Sequence, residues 1–286
     1  MRRLAVFSHK LFRQTRAGFQ TNGSFTIQVD ALGPYFDEIV LCVPVLDDPD
    51  FVGVPLRAPN ISIWSLPSYR SKFNFLFHLV RYVIAIRRVM DRCDMVLCVT
   101  PGYLGILSSW LAQRRRIPLF QYVVTDWGHL FAVRTGSVVR RWLSRVVSPI
   151  LYWLMKQLTR NVLTFFNGEV LYGGHPGLHY TRVSSSLTRD VFFERDDTCA
   201  APPYRLLYVG RLSGEKGLSY LVEAVSLLRA RDVPVLLDIV GDGAERERLE
   251  RLATELALET VIGFRGFVPQ GPLLDERYRK ADVFVL

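Results

Sequence analysis

The sequence has little that would staple a fold together or hold a metal. Its four cysteines, Cys42, Cys93, Cys98 and Cys199, include no closely spaced pair, which excludes zinc ribbons and the cysteine frameworks of small secreted domains. Three of them lie in or beside apolar runs and read as buried, reduced thiols, so a cytoplasmic setting is expected. No secretory leader is visible: Arg2 and Arg3 are followed only by Leu4, Ala5, Val6 and Phe7, too short an apolar core. Unbroken apolar stretches are scarce as well. The uncharged run of spanning length, Met95 to Gln113, contains Thr100-Pro101-Gly102 and Gly105 and parses as strand, turn and helix.

Acidic residues are few in the first two thirds. Residues 1–193 hold 23 Lys+Arg against 11 Asp+Glu, net +12, whereas 194–286 hold 13 against 16, net −3. A basic half of this kind calls for an anionic partner. No zinc-finger spacing or aromatic RNP pattern accompanies it, so nucleic acid is not expected. An anionic membrane surface or a pyrophosphate-linked lipid fits better. The strongest segment for it is Val138 to Leu158, where Arg140, Arg141, Arg145 and Lys156 interleave with Trp142, Val146, Ile150 and Trp153. It reads either as a helix at headgroup level, kinked at Pro149, or as an interdomain or core helix.

What is present is a globular α/β pattern. The length of 286 residues suffices for two domains, and a hydrophobic share of 49% supplies a core for each. Strands are expected at Arg3 to Ser8, Glu38 to Val43, Met95 to Val99, Pro118 to Val124, Asn161 to Phe166 and Tyr180 to Ser184. His9 to Gly23 reads as a polar loop leading to a helix capped by Ser24. Pro44 to Pro67 reads as proline-rich loop with a short strand near Ile61 to Trp64, and Ser71 to Arg92 carries a helical apolar stripe. The strand at Pro118 to Val124 runs into Thr125-Asp126-Trp127-Gly128-His129. Either Asp126 or His129 is a candidate to orient a hydroxyl or accept its proton, with helix capping and a structural histidine as the alternatives. Glu194 to Pro203 reads as a linker.

From Tyr204 onward the chemistry is more specific. Tyr204 to Gly210 is a short apolar strand stopped by glycine, followed by Arg211-Leu212-Ser213-Gly214-Glu215-Lys216-Gly217 and a helical pattern at Leu218, Leu221, Val222, Val225 and Leu228. A glycine-rich loop between strand and helix places backbone N–H groups where anions are favoured. Arg211 adds a planar fork of donors and Lys216 a point charge, together enough to neutralise a diphosphate; the alternative is a pair of solvated surface charges. A second strand ends in Gly241-Asp242-Gly243, a third is followed by Gly266-Phe267-Val268-Pro269, and Ala281-Asp282-Val283-Phe284-Val285-Leu286 closes the chain.

These four motifs, in this order and spacing, resemble the donor domain of family 4 glycosyltransferases. The resemblance implies the GT-B fold, an α/β architecture of two Rossmann-like domains facing across a cleft. It further implies a nucleotide-diphosphate sugar as donor substrate, no cofactor and no metal, a saccharide or lipid-linked acceptor, and transfer with retained anomeric configuration in surface glycan assembly. Carried onto this sequence, it makes Arg211, Lys216 and Gly23 diphosphate-binding residues. Gly210, Gly241, Phe267 and Val268 line the nucleotide, and Asp126 and His129 lie on the acceptor side. The expected domains are 1–193, a linker 194–203 and 204–286. The family's proline-serine turn and glutamate pair would follow Leu286, so the second domain is expected to be truncated. A non-catalytic nucleotide-binding remnant and a GT-B nucleotide-sugar epimerase are the alternatives.

Overall fold

The computed structural model describes residues 1–67, 78–125, 149–150, 153–167, 179–182 and 193–286. The chain divides into two compact units, Met1–Ser186 and Leu187–Leu286.

The first unit is built on a largely parallel sheet. Its strands are β1 Arg3–Phe7, β2 Phe12–Thr15, β3 Gly18–Thr21, β4 Glu38–Asp47, β5 Val54–Pro55, β6 Ile61–Leu66, β7 Met95–Thr100, β8 Leu119–Val123, β9 Leu163–Asn167 and β10 His179–Arg182. They run in the order β10-β9-β8-β7-β1-β4-β2-β3-β5, and β6 also pairs with β4. Both faces of the central strands are buried, which is why these strands read as continuous apolar runs rather than alternating ones. On one face, Ala5, Phe7 and Cys98 pack beneath Tyr82, Ile86 and Val89 of helix Leu79–Met90 and Leu104 and Leu111 of helix Tyr103–Arg114. On the other, Leu4, Val6, Ile39 and Leu41 pack with Val29 of the short helix Phe25–Asp30. Met95 to Gln113 is a strand and a helix, as its proline and glycines imply.

Two expectations need correction. Residues 9–23 are not simply a polar loop, because Phe12–Thr15 and Gly18–Thr21 form an antiparallel hairpin. Buried Phe12 anchors it, and the buried Thr21 hydroxyl donates to the Leu11 carbonyl at 2.6 Å. Nor does β4 stop at Val43. It continues through Pro44 to Asp47, because β2 takes up pairing with it where β1 leaves off. Phe7 stands opposite Cys42 and Phe12 opposite Val45, so Ser8, His9, Lys10 and Leu11 face only Val43 and Pro44. The surplus residues bulge out of the ladder. Pro44 lies opposite this bulge, where no neighbour requires the N–H it lacks.

The second unit alternates strand and helix. Its strands are β11 Tyr204–Val209, β12 Val235–Val240, β13 Ile262–Gly266 and β14 Val283–Val285, connected by helices Leu218–Ala230, Arg246–Glu255 and Pro272–Lys280. All are parallel, in the order β13-β12-β11-β14. Val222 and Val225 of the first helix and Leu249 of the second close over Leu237 and Ile239. Each such fully buried aliphatic side chain contributes about 1.5–3 kcal/mol. The opposite face is held by Leu274 of the third helix against Leu207 and Val240.

The stretch expected as a linker is bonded to this unit. Arg195 donates to the carbonyls of Arg279 at 3.0 Å and Ala281 at 2.8 Å, capping the end of helix Pro272–Lys280, and pairs with Asp282 at 3.3 Å. Asp282, whose side chain is 10% exposed, also accepts the backbone N–H groups of Arg205 at 2.8 Å and Cys199 at 3.3 Å. The Arg205 N–H first, and then the Cys199 N–H and the Arg195 charge, hold its carboxyl below the usual aspartate range. A depressed carboxyl stabilises the fold above the unfolded-state value, about 3.9, and that contribution disappears as pH falls through the folded-state value. Asp282→Asn should therefore unfold at lower urea than the parent at neutral pH, and the gap should close in acid. Equal gaps at about pH 7 and pH 3 would show that the carboxylate charge contributes nothing.

Candidate functional site

Three loops at the carboxyl edge of the second sheet are joined through their backbones. Gly210 N–H donates to the Val240 carbonyl at 2.9 Å, Leu212 N–H to Asp242 at 3.0 Å, Glu245 N–H to Leu212 at 3.0 Å and Gly241 N–H to Gly266 at 2.8 Å. Glycine is what lets these loops come so close. A Cβ on Gly241 would overlap the Gly210 carbonyl oxygen, and one on Gly243 would overlap that of Leu212. Gly241 also has φ +139, where other residues are strained. Gly210 itself is confined by the Tyr208 hydroxyl, which donates to the Arg211 carbonyl at 3.1 Å.

This platform presents the two cations named from sequence. Leu212 is 1% exposed and pins the loop to the core, while Arg211 beside it is 80% exposed. A 3-10 turn, Gly214–Lys216, ends at left-handed Gly217, φ +63, from which helix Leu218–Ala230 starts. Lys216 is exposed at that start. Arg211 has one ion-pair contact among the described residues, a loose one of 3.6 Å to Glu215. The Ser213 hydroxyl, the Glu215 backbone N–H and the charges of Arg211 and Lys216 keep the Glu215 carboxyl below its usual range. The loop is thus a fixed backbone bearing two cations that are not consumed by the fold.

Phe267 and Val268 follow β13 on the same edge. Phe267 is exposed, whereas Val268 packs on Leu207 and Val240 below it, so a flat group resting there would meet the phenyl ring and the backbone.

In the first unit, Gly23 adopts φ +79, the left-handed turn expected of Asn22-Gly23 before the helix. The Lys10 ammonium lies 3.9 Å from where a Cβ on Gly23 would stand. Ser24 precedes the helix but makes no side-chain cap bond. Asp126 and His129 lie outside the described residues, as do residues 138–148, most of the basic Trp-bearing segment.

Sequence reasoning did not single out His9. It sits on the bulge between β1 and β2, and its ring packs on Gly102, the residue before helix Tyr103–Arg114. A Cβ on Gly102 would lie 2.5 Å from His9 Nδ1. The surrounding protein, and then the charge of Lys10, push the imidazole pKa below its ordinary value, although the residue as a whole is exposed. The available signal was positional: a histidine and a lysine directly after the first strand of an open α/β sheet, where ligands bind. Among the described residues no group of His, Cys, Asp or Glu is arranged to hold a metal ion.

Two parallel α/β units with loops of this kind define the fold class first: it is that of the GT-B glycosyltransferases. HepE of Anabaena, solved with UDP-glucose, superposes with a TM-score of 0.62 at 15% identity, covering 99% of this chain and 73% of HepE. WaaG, a glycosyltransferase involved in lipopolysaccharide biosynthesis, gives 0.60 at 14% identity, covering 98% of this chain and 74% of its own. In sequence, residues 194–286 match the family described as Glycosyl transferases group 1. An uncharacterized glycosyltransferase of Methanocaldococcus jannaschii, MJ1607, is 30% identical over 150 residues, 51% of this chain. The chain spans 38% of that relative's length.

Proposed function

We propose that this chain acts in a glycosyltransferase that moves a sugar from a nucleotide-diphosphate donor to a saccharide or lipid-linked acceptor, with retention, in glycan assembly. One observation carries the reading: a glycine-stitched platform displays Arg211 and Lys216, uncommitted to the fold, at the carboxyl end of β11. There they neutralise the diphosphate as it departs, the point at which the reaction develops most charge. Gly210 and Gly241 let the nucleotide approach the backbone, and Phe267 and Val268 take the base. Gly23 in the first unit meets phosphate, and Asp126 or His129 serves the acceptor.

HepE was solved with UDP-glucose, which makes UDP-sugars the first donors to test. An acceptor held at an anionic membrane surface fits helices Leu79–Met90 and Tyr103–Arg114, which expose Val80, Ile84 and Trp110 beside Arg81, Arg88 and Arg114. Among the described residues no helix is long and apolar enough to cross a membrane.

The test is thermal unfolding with UDP, UDP-glucose and a panel of other nucleotide sugars. Ligand at about a hundred times its Kd adds about 2.7 kcal/mol, a shift of a few degrees. If no nucleotide or nucleotide sugar raises the unfolding temperature, the reading fails.

A further inference from the structure

We propose that the second unit binds a phosphorylated sugar in a cavity beside helix Pro272–Lys280, over the start of β11, β12 and β13. Arg211 and Lys216 stand at the other end of the same sheet. The site belongs to this unit alone, so it stands whether or not the glycosyltransferase reading does.

The cavity has a volume of about 430 Å³, within the range of small-molecule sites. Its floor is the sheet face that carries Leu207 and Val240, and strand alternation puts Arg205, Leu236 and Asp238 on that face too. Leu237 and Ile239, on either side of Asp238, belong to the opposite core. Glu276, Arg277 and Lys280 of the helix form a wall, and Glu259 and Thr260 close the end ahead of β13.

Asp238 interrupts the otherwise apolar strand Val235–Val240. Two guanidinium groups hold it: Arg265 Nε donates at 2.7 Å and Arg277 Nη1 at 3.2 Å. Two features of β13 bring Arg265 there. Its pairing with β12 passes from Phe264 opposite Ile239 to Gly266 opposite Val240, so Arg265 is the extra residue of a bulge. Gly263 then leaves room for the guanidinium, since a Cβ would stand 2.7 Å from Arg265 Nη2. Gly263 has no positive φ, so the arginine, not the backbone, calls for glycine.

The chemistry of the lining selects the ligand. Arg205, Arg265 and Arg277 converge on a floor with one carboxylate, Asp238. Arg205 has no ion pair among the described residues, and the buried Nε of Arg277 has no partner there. Planar donors in such excess suit a phosphate. Both pairs with Asp238 are partly exposed, and such pairs add little stability, so an arriving anion can draw the arginines to itself. The carboxylates of Glu259 and Glu276 are acceptors for sugar hydroxyls. Leu236 and Leu273 are exposed and offer apolar surface to the C–H face of a ring. No aromatic ring is among the lining residues, which favours a sugar over a nucleotide base. One effect opposes the anion: the cavity adjoins the carbonyl end of helix Pro272–Lys280. Arg195 offsets it by donating to the Arg279 and Ala281 carbonyls.

The experiment is a phosphorus NMR titration of the full chain with glucose 6-phosphate, and separately with inorganic phosphate. Saturable binding is expected, with glucose 6-phosphate about tenfold the tighter because its hydroxyls reach the carboxylates. Arg205→Gln combined with Arg265→Gln should weaken glucose 6-phosphate by about tenfold or more. Gly263→Ala displaces only the flexible end of Arg265, and should weaken it about threefold or more at an unchanged melting temperature. Arg211→Ala combined with Lys216→Ala should bind it as the parent does. No binding by about 10 mM overturns the proposal. So does binding that survives the loss of Arg205 and Arg265, or that vanishes with Arg211 and Lys216, which would put the phosphate on the glycine platform. Equal affinity for the two probes overturns the assignment of a sugar. Thermal protection by nucleotide sugars, measured on the same samples, tests the transferase reading separately.

Discussion

Arg211→Ala combined with Lys216→Ala is expected to lower kcat/KM for sugar transfer by about a thousandfold or more, since one donor aimed at developing charge is typically worth about a hundred- to a thousandfold. The loss should fall on turnover and donor binding, not on folding. Arg211 is 80% exposed and its described ion pair is loose, so little stability depends on it. The melting temperature of the double variant without ligand should match the parent, while protection by UDP disappears. Arg211→Lys should restore charge without the planar fork and recover only part of the activity. Full transfer by the double variant would remove both cations from the mechanism.

The second large effect is structural. Gly241→Ala places a methyl group against the Gly210 carbonyl and a side chain at φ +139. Backbone strain and overpacking together should cost about 3–5 kcal/mol. Gly214→Ala, in the same region, meets nothing within 4 Å and has no positive φ, so it should change stability by no more than about 0.5 kcal/mol. Urea unfolding of the two variants makes the comparison. A Gly241→Ala protein as stable as Gly214→Ala would show that the loops are not held by close backbone approach.

The strands and connecting helices of the second unit were legible because each signal was local: an apolar run, a glycine, then a helical stripe. One helix was overlooked although its marks were present. Gly271 and Pro272 open Pro272–Lys280, Asp275 lies in its first turn, and Arg277, Arg279 and Lys280 lie in its last. Its apolar face is nearly reduced to Leu274 and Tyr278, so periodicity gave little indication. The hairpin at Phe12–Thr21 was hidden for a different reason: its polar side chains read as loop, and its pairing partner β4 lies far away in sequence. In the candidate site, the loop that carries Arg211 and Lys216 was legible from its glycines, between an apolar strand and a helical stripe. That Gly241 and Gly243 serve to admit other loops, not only to turn the chain, required the contact with Gly210 and Leu212. The packing of His9 against Gly102 was not legible, because the two are brought together only by the parallel pairing of β1 with β7.

Asp282 belongs to a motif that reads as a buried strand, yet its carboxylate fastens residues upstream of β11, through Arg195 and Cys199, to the start of β14. Anyone excising the second unit for separate expression should therefore cut ahead of Arg195 and not at Tyr204. A fragment beginning at the first strand would leave an acid without its countercharge and a helix end without its cap.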